Sequence, residues 1–93
     1  MKYEIMTIYE IDLGETKAKD LSKKITDLIV SFDGKILENN FWGKRKFSYE
    51  INKKTEGFYD VSIFEMEKDK VSVFKSKLNL EEGLVRYLVI AQN

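Results

Sequence analysis

The groups available for chemistry in this chain are carboxylates, amines, hydroxyls and aromatic rings, because its 93 residues include no His and no Cys. Without His there is no imidazole acid or base near neutral pH, and no Ser-His-Asp or Cys-His pair to activate a nucleophile. Zinc and iron-sulfur centres lose their usual ligands for the same reason, which leaves only a carboxylate site for a hard cation such as Mg²⁺ or Ca²⁺. No catalytic residue, cofactor, metal or small-molecule substrate is therefore expected. Binding is the kind of function that remains.

One segment concentrates groups suited to binding. Gly43 to Lys54 holds Lys44, Arg45, Lys46, Lys53 and Lys54 against Glu50, a local net charge of +4 in a chain whose total is zero, so the other 81 residues sum to −4. Phe41, Trp42, Phe47 and Tyr49 lie beside or between these cations. Lys and Arg neutralise phosphates, and aromatic rings stack on unpaired bases or sugars, so the mixture suits a nucleic-acid surface. A Lys-rich edge strand that resists edge-to-edge pairing, with Phe and Tyr filling the core, explains the same residues. Trp42 fits a core anchor and an interface anchor equally well.

The elements that must position these groups follow from hydrophobic periodicity. Tyr3, Ile5, Thr7, Tyr9 and Ile11 alternate along a first strand, and Asp12 to Glu15 make a turn. Ala18, Leu21, Ile25, Leu28, Ile29 and Phe32 then form one apolar stripe of a helix, with Thr16 as its N-cap and Gly34 in the left-handed position that closes it. Lys35 to Ile51 reads as a long second strand bent or bulged at Gly43. Asn52 to Gly57 is a hairpin loop, Phe58 to Met66 a third strand with Tyr59, Val61 and Ile63 on one face, Lys68 to Leu78 a second helix, and Leu84 to Ala91 a final strand.

The order β-α-β-β-α-β in 93 residues predicts an α+β chain, a ferredoxin-like split βαβ sandwich forming a single domain over residues 1–93. Its antiparallel sheet has strands one and three in the middle and both helices on one face, leaving the other face uncovered. Fold alone names no function. Small acyl-phosphate hydrolases share this architecture, but their anion cradle would fall at Asp12-Leu13-Gly14-Glu15, where two acids and no base repel a phosphate. An RNA-recognition motif would carry its basic-aromatic run on the third strand, where Asp60, Glu65 and Glu67 stand without Lys or Arg. A free-standing interaction or ligand-sensing module, dimeric through the open sheet face, is the alternative to a nucleic-acid role.

Phe41-Trp42-Gly43-Lys44-Arg45-Lys46-Phe47-Ser48-Tyr49-Glu50-Ile51 resembles the signature strand of the bacterial small-subunit ribosomal protein six family. Tyr3-Glu4 resembles that family's opening strand, Ile51-Asn52-Lys53 its hairpin entry, Gly57-Phe58-Tyr59 its third strand, and Val85-Arg86-Tyr87-Leu88-Val89 its basic-centred final strand. The resemblance spans nearly the whole chain. It implies a structural ribosomal protein that pairs with small-subunit ribosomal protein eighteen and binds the central domain of small-subunit ribosomal RNA. Carried over by position, Lys2, Tyr3, Lys53 and Arg86 are the implied RNA contacts. The implied partner-protein interface is Phe41, Trp42, Lys44, Arg45, Lys46 and Tyr49.

The chain departs from the family pattern at Glu50, which stands where the family carries Pro and so restores a backbone donor to the second strand. Glu67 replaces another Pro and still suits a positive helix end. Met1 to Leu13 has no continuous apolar stretch of a secretory signal, and the longest apolar run is Tyr87 to Ala91, so a cytoplasmic protein with no membrane contact is expected, and the family resemblance implies a place on the ribosome.

Overall fold

Alternating side chains make β1 (Lys2–Glu10) two-faced, with Tyr3, Ile5, Thr7 and Tyr9 all buried on the side that meets the helices. In the computed structural model, which describes residues 1–51 and 53–92, the remaining elements are α1 (Gly14–Ser31), β2 (Lys35–Ile51), β3 (Lys54–Glu65), α2 (Lys68–Leu78) and β4 (Leu84–Gln92). They form the ferredoxin-like sandwich with sheet order β2-β3-β1-β4 and every pairing antiparallel. β1 and β3 are central, as right-handed crossovers require.

The core lies between the helices and one sheet face. Ala18, Ile25 and Ile29 of α1 and Val71, Phe74 and Leu78 of α2 pack against Tyr3, Ile5, Tyr9, Phe58 and Phe64. Phe64 is its pivot: Tyr3 stacks on it at 5.6 Å and Phe74 meets it edge-on at 5.7 Å. A Lys70–Asp33 ion pair of 2.7 Å joins the start of α2 to the end of α1, and that bond holds the Asp33 carboxyl below its usual range.

Three local features differ from the sequence expectation. A single 3-10 turn, Ile11–Leu13, runs into α1 at Gly14, so Thr16 sits inside the helix and is not its cap. Asp33, not Gly34, takes the left-handed conformation at φ 61°. Gly34 is needed for space instead, because a Cβ there would lie 2.6 Å from Ile29 Cγ2 and 2.7 Å from the Ile29 carbonyl oxygen. The hairpin is tighter than expected, since β3 begins at Lys54 and Lys46 pairs with Glu56 across it; the Asn52 part of the expected loop lies outside the described residues. Gly43, at φ 84° beside a register shift between Phe41 and Gly43, is the expected bulge.

Candidate functional site

Strand alternation sends Phe41 and Trp42 to opposite faces of the sheet, and the bulge at Gly43 then resets the phase of β2. Phe41 turns toward the helices, stacks on Phe58 at 6.2 Å and has the Lys19 ammonium 5.7 Å from its ring centre. Trp42 turns to the open face, where it is 46% exposed and lies nearly parallel to Tyr59, with 6.5 Å between ring centres. Trp42 is thus a surface aromatic and Phe41 the core-side one. Phe47 closes the group at 6.1 Å from Tyr59. Gly57 makes this packing feasible: a Cβ there would meet Ile8 Cγ2 at 2.8 Å and Phe47 Cζ at 2.9 Å, so Ile8 and Phe47 close over bare backbone.

The open face continues as an apolar surface. Ile8 pairs with Tyr59 and Met6 with Val61 across the two central strands, while Leu88 of β4 stands opposite Met6 and Ile90 opposite Glu4. Leu88 and Ile90 are 57% and 47% exposed. Alternation alone would put polar residues on the solvated side of such a sheet. An apolar face that exposes Trp42, Leu88 and Ile90 departs from that pattern.

The cations of the hairpin distribute over both sides. Arg45 pairs with Gly57 and shares the open face with Trp42, whereas Lys44 pairs with Phe58 and Lys46 with Glu56 on the helix side. Lys44 lies 3.9 Å from Glu56. Lys54 is tied to Asp12 at 2.8 Å, a contact that pins the hairpin to the turn after β1 and raises the lysine's pKa. Lys46 and Lys53 are exposed with no ion pair among the described residues, and Lys53 sits at the hairpin tip with φ 63°. The Tyr49 side chain lies outside the description.

The four implied RNA contacts do not converge. Lys2 is exposed at the first position of β1, on the open face beside Glu65. Arg86 is exposed opposite Ile8, six residues further along, roughly 20 Å away at strand spacing. Lys53 lies beyond the same end of the sheet as Arg86. Tyr3 is buried against Phe64, and its hydroxyl lies 3.7 Å from the Met1 sulfur. Glu81 holds Lys24 at 3.0 Å. The surface therefore offers separated cations around an aromatic and apolar field, and among the described residues no group of three or more carboxylates is placed to hold a metal.

Comparison with known proteins shows the family. The family model described as Ribosomal protein S6 matches residues 2–91. The chain belongs to the ribosomal protein S6 family. It is 37% identical over 92 residues to the small ribosomal subunit protein bS6 of Fusobacterium nucleatum, covering 99% of this chain and 98% of that one. It is 40% identical over 89 residues to that of Mycoplasma mycoides, covering 96% of this chain and 63% of the relative. A crystal structure of 30S ribosomal protein S6 from Thermotoga maritima superposes with a TM-score of 0.93 at 26% identity, over 98% of this chain and 86% of that one. Ribosomal protein S6 is a structural component of the small ribosomal subunit and not an enzyme, and its place is the ribosome in the bacterial cytoplasm. Among the described residues no helix is long and apolar enough to cross a membrane.

Beneath the sheet, this member of the S6 family carries a polar cluster that hydrophobic patterning does not reveal. Asp60 of β3 is only 3% exposed. Tyr9 donates to its Oδ2 at 2.8 Å, Ser22 of α1 donates to the same oxygen, and Asn39 of β2 donates to Oδ1 at 3.1 Å. Thr7 donates to the Tyr9 hydroxyl at 2.9 Å, and Asn39 also reaches the Ser62 hydroxyl at 2.7 Å. Burial, reinforced by the Asp60 carboxyl, pushes the Tyr9 hydroxyl far above its ordinary pKa and keeps it a donor. The cluster joins three strands to α1, with Tyr9, Thr7, Ser22, Asp60 and Ser62 buried and Asn39 at its exposed end, so it organises the fold that presents the open face.

Proposed function

We propose that this chain acts together with ribosomal protein eighteen of the small subunit to bind the central domain of small-subunit ribosomal RNA. The observation that carries the reading is the pairing of an apolar, aromatic open face with a separate set of exposed cations. The partner protein covers the open face at Trp42 and Arg45 and wraps the β2 edge to reach Phe41, Lys44 and Lys46 on its other side, with Tyr49 further along the same strand, and shields rings and apolar side chains from water. Lys2, Lys53 and Arg86 then supply charge to the RNA, while Tyr3 anchors the strand end that carries Lys2.

Separated cations on a chain of zero net charge make a weak RNA ligand when alone. Neutralising about 3 or 4 phosphates gives a slope of log affinity against log salt of about −3, and the partner must contribute the rest of the affinity. Titration of labelled central-domain RNA with this chain, with and without the partner protein, tests the proposal. The expected result is weak binding alone and tight binding for the mixture. Tight binding without the partner, or none with it, contradicts the proposal.

A further inference from the structure

The sheet has two edges, and only one is defended. An exposed row of unpaired N–H and C=O groups is a template for another strand, and soluble proteins blunt it with charges, bulges or a covering element. β2 does so: it carries Lys35, Glu38, Lys44, Arg45, Lys46 and Glu50, and its pairing shifts register at three places. β4, at the opposite edge, has one charged residue, Arg86, among the nine of Leu84–Gln92. Its only register shift lies at its start, and Arg86 to Gln92 pair with β1 without interruption. Among the described residues no other strand pairs with it.

The side chains of that edge complement themselves. We propose that β4 is a self-association edge, on which the β4 strand of a second copy of this chain adds in antiparallel register centred on Val89. Val89 is the midpoint of the regular stretch Arg86 to Gln92, so full overlap sets it opposite its own counterpart. Leu88 then faces Ile90 of the other copy, Tyr87 faces Ala91 and Arg86 faces Gln92, so that no like charges meet. Antiparallel addition about a two-fold axis normal to the sheet keeps both pairs of helices on one side and joins the two open faces into one apolar surface. The same operation on β2, centred on Arg45, would oppose Lys44 and Lys46 and is repelled. Trp42 and the basic hairpin lie at the far edge and stay accessible in the pair.

A single added strand pair buries less than the roughly 1,000 Å² of a stable interface, so the dimer is weak, with half-association at about 0.1 mM. Sedimentation velocity from about 10 µM to about 1 mM, combined with hydrogen exchange at both ends of that range, reads it directly. The expected result is concentration-dependent dimer with extra protection confined to β4 amides. Leu88→Lys with Ile90→Lys sets two lysine pairs across the edge and should weaken association roughly tenfold, with the melting temperature unchanged. Leu88→Lys with Ile90→Glu instead makes complementary pairs in this register and should restore it. A monomer throughout the range, a dimer whose β4 amides exchange as in the monomer, or failure of the Lys/Glu variant to associate would each overturn the proposal.

Discussion

The two faces of the sheet depart from the usual distribution of side chains in opposite directions. The face covered by helices buries Thr7, Asp60 and Ser62 among its aromatic rings, whereas the uncovered face displays Trp42, Leu88 and Ile90. Buried polar groups are tolerable only when every one has a partner, and among the described residues no buried side-chain polar atom is unsatisfied. Exposed apolar groups cost nothing in the folded state but invite association. The covered face thus sets one arrangement of strands and helix, and in the proposed function the uncovered face receives other molecules. A lesion on the first should cost stability, and a lesion on the second should cost binding.

The largest effect is expected at Asp60. Asp60→Ala leaves the Tyr9 and Ser22 donors buried without their common acceptor and frees the more exposed Asn39 amide, which should cost about 3 kcal/mol. In a domain of this size that lowers the thermal midpoint by about 10–20 °C, measurable by calorimetry. A shift of only a degree or two would mean that the cluster is ornamental. Next in size is the alkaline limb. Because the folded Tyr9 hydroxyl holds its proton well above the ordinary value, its contribution is complete below about pH 10 and is lost as pH rises above that, by about 1.4 kcal/mol per pH unit. Denaturant titrations between pH 9 and 11 should show that slope reduced in Tyr9→Phe, and an unchanged slope would place the hydroxyl in contact with water. Smallest is Arg86→Ala on the open face, expected to weaken RNA binding of the partnered protein by about threefold to tenfold and to flatten the salt slope by about one. Its thermal midpoint should stay fixed; a large drop would assign Arg86 to a structural pair.

The architecture was legible because it rests on local periodicity. Alternation at Tyr3, Ile5, Thr7 and Tyr9 placed them together on one face, the spacing of Val71, Phe74 and Leu78 bounded α2 at Lys68–Leu78, and Gly43 marked the bulge. Family likeness in the strand from Phe41 to Ile51 pointed to the ribosome. The covered polar cluster escaped because Asp60 lies 21 to 51 residues from its donors Asn39, Ser22 and Tyr9, which meet it only once the strands are in register. A signal was nevertheless present: Asp60 and Ser62 fall in phase with Phe58 and Phe64, the buried side of β3, and not with the solvated Tyr59 side. Likewise Gly34 looked like a conformational glycine, whereas the close approach of Ile29 is what requires it. The open choice for Trp42 could not close on periodicity, because the bulge at Gly43 shifts the phase of the strand at that point.

The division of labour between the faces is tested most directly by one paired calorimetric measurement on Trp42→Ala and Asp60→Asn. Each variant is melted alone and titrated with ribosomal protein eighteen at a temperature where both are folded. The account predicts that Trp42→Ala melts within about 2 °C of the parent yet binds the partner at least tenfold more weakly, since exposed aromatics are common anchors of interfaces. Asp60→Asn should melt several degrees lower and bind the partner with parental affinity. Parental partner affinity in Trp42→Ala, or a binding loss in Asp60→Asn as large as its loss of stability, would contradict it.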